Sequence, residues 1–170
     1  MVKHLIFFHR GGSEEDYEAD AKLVASLKLK LGSGYSVLRI LDLESTHIRE
    51  VEGLDALIQL QSLDLENNEM AGISNLDALT KLQFLKIANN YISDIKGLNA
   101  LTRLQYLDLQ QNYITRIKEL RDLVYFPKLQ TLRLYGIREN DLNVPEELFG
   151  TGASDNCLED LQEYFDELMD

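Results

Sequence analysis

Asp42, Asp64 and Asp108 each stand between two leucines and share a 22-residue spacing that Lys86 completes. A row of carboxylates is the raw material of an acid–base or cation site. Lys86 interrupts this row, and neither a base nor a nucleophile accompanies it. The histidines His4, His9 and His47 lack the spacing of metal ligands. His47 reads as part of a first turn and His4 as part of a terminal strand. Cys157, near a helix start, is the kind of thiol whose pKa can fall, but it reads as a half-buried structural cysteine. The chain carries no phosphate-binding P-loop and no dinucleotide fingerprint. These residues predict no enzyme, no cofactor and no metal.

Composition narrows the class. A chain of 170 residues that is 45% hydrophobic suits one soluble domain with a sizeable core. One cysteine excludes an intramolecular disulfide framework and fits a cytoplasmic setting. The opening MVKHLIFFHR is too short for a signal-peptide core, and the internal leucines are periodic, so no membrane span is expected. The net charge of −12 is uneven: residues 141–170 hold ten acids and no base, whereas residues 37–140 hold 14 acids and 12 bases. A nucleic-acid binder needs a basic stripe, and none is present. The acidic tail reads as the solvated face of a helix.

The residues singled out above sit in a repeat. Segments beginning at Leu38, Leu60, Leu82 and Leu104 follow one another every 22 residues. Positions 1, 4 and 6 carry leucine or isoleucine: Leu60, Leu63 and Leu65 in the second unit, Leu82, Leu85 and Ile87 in the third. Alternation at positions 4 and 6 predicts a short strand with one face buried. One such strand cannot hide its apolar side, so neighbouring units must stack in parallel.

Position 9 holds Asn68, Asn90 and Asn112, whose amides both donate and accept and so can satisfy a buried turn. Thr46 takes that place in the first unit, where its hydroxyl does part of the work. Positions 11, 14, 17 and 20 are apolar at three-residue spacing, predicting 3₁₀ or short helical turns on the convex side. A fifth unit starts at Leu129 and loses the pattern at Ile137, with Asn140 left to serve the turn.

These residues resemble the leucine-rich repeat family, in its 22-residue cytosolic class, closely from Leu60 to Leu123 and fairly from Leu38 to Leu57. The resemblance implies an α/β solenoid with a parallel concave sheet and protein binding as its shared activity. Relatives of this class include phosphatase regulatory subunits, dynein-associated light chains and spliceosomal scaffolds.

Both ends read as caps, giving residues 1–36 as a strand–helix cap, 37–140 as the repeats and 141–170 as an acidic helical cap. Val2–Phe8 reads as a strand, and Tyr17, Ala21, Val24, Leu27 and Leu31 mark one face of a helix. At the other end Pro145 suits a helix start, and Leu158, Leu161, Phe165 and Leu168 line a helix expected over 156–168. The segment NVPEELFGTGASDNCLEDLQEYF resembles the closing segment of leucine-rich arrays in bacterial signalling proteins, including those with Roco-type GTPases. With the sequence stopping at Asp170, no GTPase is expected. The opening HLIFFHRGGSEEDYEADAKLVASLKLKLG resembles the first strand, loop and helix of small bacterial α/β-hydrolases. There an H-G-G-type loop helps form the oxyanion hole; here Arg10 follows His9, and no G-x-S-x-G elbow exists anywhere. The segment therefore reads as a borrowed fragment used as a cap.

Positions 3, 5 and 7 of each strand point away from the leucines. They predict an acidic patch at Asp42, Glu44, Asp64 and Glu66. Beside it they predict an aromatic patch at Phe84, Tyr106 and Tyr135, bordered by Lys86 and Arg133. Aromatics beside arginine are the residue types enriched in binding hot spots. Tyr91 and Tyr113, at position 10, either extend the patch along a rim or pack between turns. The expected partner-binding set is Asp42, Asp64, Phe84, Lys86, Tyr106, Asp108, Arg133 and Tyr135. The expected function is non-catalytic protein–protein interaction by a monomer. The runners-up are a regulatory or targeting subunit of a phosphatase or GTPase system, and a hydrolase-derived fragment.

Overall fold

The computed structural model describes residues 4–6, 37–51, 53–114, 120–121, 123–124, 126–136 and 158–167, the first three as backbone. The described residues hold six short strands, and all but the first arise where position 4 of a unit places a leucine between two outward residues. They are β1 (His4–Ile6), β2 (Ile40–Asp42), β3 (Ser62–Asp64), β4 (Phe84–Lys86), β5 (Tyr106–Asp108) and β6 (Thr131–Arg133). All pair in parallel with their sequence neighbours, in the order β1 to β6. The 22-residue period keeps them in register, so Leu41, Leu63, Leu85, Leu107 and Leu132 stand side by side. β1 joins the same sheet against β2, with Leu5 opposite Leu41. The N-terminal strand thus extends the sheet across the expected boundary after residue 36.

Among the described repeat residues the predicted core is the observed one. Position 1, 4 and 6 residues from Leu38 to Leu134 are buried. So are the described convex residues, from Ile48, Val51, Leu54 and Leu57 to Ile114, Leu120 and Leu123. Each fully buried leucine contributes about 1.5–3 kcal/mol by leaving water, which short strands need because their ladders are only a few bonds long. The convex path is tight. In one unit it forms a 3₁₀ turn at Leu54–Ala56. In the next two it uses successive i→i+3 bonds, Leu79 N–H to Leu76 O (2.9 Å) and Leu101 N–H to Leu98 O (2.8 Å). Three-residue apolar spacing suits this geometry, since i and i+3 eclipse in such turns.

The asparagine ladder closes each turn. Asn90 donates through Nδ2 to Leu65 O (3.0 Å) in the preceding unit and to Ile87 O (3.1 Å) in its own, and its Oδ1 accepts Met70 N–H (3.0 Å). Asn112 repeats this against Ile87 O, Leu109 O and Ile92 N–H. Asn68 does so against Leu43 O, Leu65 O and Ile48 N–H. Thr46 donates its hydroxyl to Leu43 O at 2.7 Å and its backbone N–H to Asn68 Oδ1 at 3.1 Å.

One residue earlier, Ser45, Asn67, Asn89 and Gln111 all adopt left-handed backbone, with φ of 53–56°. Asparagine tolerates that region better than most residues, which explains the doubled asparagines of units two and three.

At the C-terminal end α1 (Leu158–Glu167) buries Leu161 and Phe165 in the same core and packs on β6. Its acidic residues Glu159, Asp160, Glu163, Asp166 and Glu167 are exposed or half-exposed around that apolar stripe, as an amphipathic cap requires. The expected N-terminal helix lies outside the described residues. So do the His9 loop, Ile117, Ile137, Asn140, Pro145, Cys157 and Leu168. Among the described residues no helix is long and apolar enough to cross a membrane.

Candidate interaction face

Because side chains alternate along a strand, positions 3, 5 and 7 form three rows across the concave face. The register fixes their order. The first row is Ile40, Ser62, Phe84, Tyr106 and Thr131; the second is Asp42, Asp64, Lys86, Asp108 and Arg133. The third is Glu44, Glu66, Ala88, Gln110 and Tyr135, one step past the strands.

The aspartates of the middle row are structural acceptors. Oδ1 of Asp42, Asp64 and Asp108 accepts the backbone N–H two residues on, at Glu44, Glu66 and Gln110, each at 3.1 Å. Their second oxygens differ. Asp64 Oδ2 pairs with Lys86 Nζ at 2.8 Å. Asp108 Oδ2 accepts from Arg133 Nη1 at 3.0 Å and from the Tyr106 hydroxyl at 3.1 Å. The row is therefore a ladder of backbone braces and ion pairs. Among the described residues no group of three or more His, Cys, Asp or Glu is placed to hold a metal ion.

Two outward-facing positions are buried after all. Asp108 is only 3% exposed, roofed by Tyr106 and Arg133, and Ala88 is too short to clear its neighbours. Arg133 also reaches the Tyr106 hydroxyl at 3.4 Å. The predicted aromatic patch therefore divides. Tyr106 and Tyr135 are half-buried, whereas Phe84 is 43% exposed and Ile40, across Ser62 from it, is 37% exposed.

The electrostatics follow the rows. Lys86 is held above the ordinary lysine value, chiefly by its hydrogen bond to Asp64. Burial pushes the Tyr106 hydroxyl up. Burial also raises the Glu66 carboxyl, helped by the negative charges of Asp64, Asp108 and Glu44. Asn67 and Asn89 donate amide hydrogens to Glu44 and Glu66, at 3.1 and 3.4 Å, without neutralising them.

Position 10 forms a rim row of His47, Glu69, Tyr91 and Tyr113. His47 Nδ1 and Arg49 Nε both pair with Glu69, at 3.0 and 2.9 Å, and the Arg49 bond leads in holding the Glu69 carboxyl below its ordinary range. The Tyr91 and Tyr113 rings pack on each other, centroids 5.7 Å apart, while both stay exposed. Behind this rim lies a shallow groove of about 390 Å³ lined by Arg49, Glu50, Gly72, Ser74, Asp94 and Lys96 among others. It escapes sequence reading because its walls, the apolar position 14 aside, occupy positions 12, 13 and 15, which share no residue type.

Comparison with known proteins agrees with this geometry. Residues 58–100 and 80–123 match the family of Leucine Rich repeats (2 copies). No curated protein sequence matches the chain significantly. Among solved structures, internalin C2 of Listeria monocytogenes is 34% identical, with a TM-score of 0.55 over 65% of this chain and 48% of its own. An internalin, InlF, of the same organism is 24% identical, with a TM-score of 0.58 over 72% of this chain and 35% of its own. A TLR13–ssRNA13 complex is 23% identical, with a TM-score of 0.54 over 63% of this chain and 18% of its own; the last two likenesses concern the fold alone. The chain spans about half or less of the length of each. Repeat, register, asparagine ladder and structural neighbours lead to one conclusion: this chain is built as a leucine-rich repeat solenoid.

Proposed function

We propose that the concave face of the sheet binds a protein partner, without catalysis. Leucine-rich repeat solenoids generally serve protein–protein interaction, and their stacked units offer an extended concave surface for it. The observation that carries the reading is the first row, where Phe84 and Ile40 stay exposed on a sheet face, 43% and 37%. Exposed aromatic side chains of this kind anchor interfaces. Lys86, Asp64 and Asp42 border this row, whereas Tyr106, Asp108 and Arg133 brace one another and contribute shape more than free contacts. The surplus of acid on the face favours protein over nucleic acid. The lone Cys157 keeps the cytoplasm as the proposed compartment.

The test is affinity capture from source-cell lysate, comparing wild type with Phe84→Ala/Ile40→Ala. Both side chains are exposed, so this variant retains the fold, as circular dichroism would verify. A partner held by wild type and lost by the variant supports the concave face. Equal capture rejects it and directs attention to the acidic helix α1.

A further inference from the structure

The first and third rows differ in character over the same strands. Ser62 stands between Ile40 and Phe84 in strict register. Parallel strands lie about 4.8 Å apart, so the two large side chains rise roughly 10 Å from each other over a floor of one hydroxymethyl group. That is a notch with room for one inserted side chain, and its walls are apolar.

Four residues along the same strands the face is anionic. Lys86 neutralises Asp64, and Arg133 neutralises Asp108. Among the described residues Asp42, Glu44 and Glu66 enter no ion pair. Glu66 and Glu44 receive only neutral amides, from Asn89 and Asn67. Burial, and then the negative charges of Asp64, Asp108 and Glu44, hold the Glu66 carboxyl above its ordinary value, against the pull of Lys86.

Building on the concave-face reading, we propose that the occupant is an extended peptide segment of another protein. It places one bulky apolar side chain in the notch over Ser62 and lysine or arginine against Glu44 and Glu66. Complementary charge chooses this partner over an acidic or nucleic-acid one. The distance sets the spacing. Position 3 to position 7 is four residues of strand, about 13 Å. Alternate residues of an extended peptide advance about 6.6 Å on one side, and a lysine side chain adds its own reach. The cation therefore stands two to four residues from the apolar anchor.

The test is selection of a random twelve-residue displayed peptide library on the full chain, followed by fluorescence anisotropy with the selected synthetic peptides. Two variants read it. Ser62→Phe fills the notch with the residue that Phe84 places at the same position one strand on, so the backbone already suits it. Glu44→Gln/Glu66→Gln removes the charges and keeps the amide contacts. The expected result is peptides enriched in lysine or arginine two to four residues from a bulky apolar residue. Their affinity should fall roughly tenfold or more in each variant, as for loss of a hot-spot contact, and should weaken as salt rises. Selected peptides that are acidic or uncharged, yet lost by Ser62→Phe, overturn the cationic partner and leave the concave face standing. Peptides that bind Ser62→Phe as well as wild type remove the notch and count against that face. Absence of any enriched peptide overturns the peptide proposal, and the capture comparison with Phe84→Ala/Ile40→Ala then judges the face separately.

Discussion

Asp108 and Arg133, 25 residues apart in sequence, meet at 3.0 Å across β5 and β6. The carboxylate is almost wholly buried, while the arginine side chain keeps 30% of its surface. Asp108 also accepts Gln110 N–H and the Tyr106 hydroxyl, so one side chain ties the fourth repeat to the fifth. The charged residues of this face are thus partly framework. Under the proposed concave-face binding, the surface left for a partner is the Ile40–Ser62–Phe84 row with Glu44 and Glu66.

Removing Arg133 should therefore cost stability before it costs binding. Arg133→Ala leaves a buried carboxylate without its cation, and such changes cost about 3–5 kcal/mol when both partners are fully buried. With the arginine partly solvated, about 2–3 kcal/mol is expected. Asp108→Asn retains an acceptor for Gln110 N–H and should cost less. The double variant should fall well short of the sum, because the second change removes what the first orphaned. Urea denaturation of the four proteins measures this cycle; strict additivity would show that the pair does not couple.

The asparagine ladder predicts a graded series. Asn90→Ala leaves Met70 N–H without its acceptor in the interior, while Leu65 O and Ile87 O each lose one of two amide donors and keep those of Asn68 and Asn112. An orphaned buried donor costs about 1–3 kcal/mol and each further bond lost about 0.5–1.5 kcal/mol, so a loss of about 2 kcal/mol or more is expected. Thr46→Val should cost only about 1 kcal/mol, since Leu43 O, which the hydroxyl serves, is also reached by Asn68 Nδ2. Equal losses in thermal or urea melts would contradict the ladder account.

The leucine positions, the strands, their parallel order and the ladder were legible because a 22-residue period repeats the same physical demand in every unit. What escaped is what depends on neighbours that differ. Asp108 sits at the same position as Asp42, yet only Asp108 has Tyr106 and Arg133 to cover it. Alternation alone marks both as outward. The left-handed backbone at position 8 escaped as well: Asn67 and Asn89 suit it, but Ser45 and Gln111 adopt it without advertising it. The notch over Ser62 exists only through the register of three strands, a relation between units that no single unit displays.

Two glycines, at positions 13 and 16 of their units, should behave oppositely. Gly97 has φ of 105°, and a Cβ there would stand 2.3 Å from Ile73 O. Neither the backbone conformation nor that carbonyl can accommodate it, so Gly97→Ala should cost at least about 2 kcal/mol. Gly72 opens onto the shallow groove with nothing within 4 Å of its would-be Cβ. Gly72→Ala should change stability by no more than about 1 kcal/mol, in the stabilising direction if any. Differential scanning calorimetry of the two variants decides it.

Glu66 offers a prediction with a fixed sign in pH. Its folded-state carboxyl is held above the ordinary value of 4.5, by burial first and by Asp64, Asp108 and Glu44 next. Between 4.5 and that higher folded value the native state holds the proton more tightly than the unfolded chain, so this group makes stability fall as pH rises. At neutral pH the ionised Glu66 is therefore a net cost, and Glu66→Gln should raise the urea midpoint. Well below 4.5 both states are protonated and the variant's advantage should vanish. Added salt should shrink the part due to neighbouring carboxylates and leave the part due to burial, since screening acts between charges and not on desolvation. Urea titrations of wild type and variant near pH 7 and near pH 3, each at low and high salt, carry the test. A destabilised variant at neutral pH would mean that Glu66 has a cationic partner in solution, and the open anionic row on the concave face would be occupied from within.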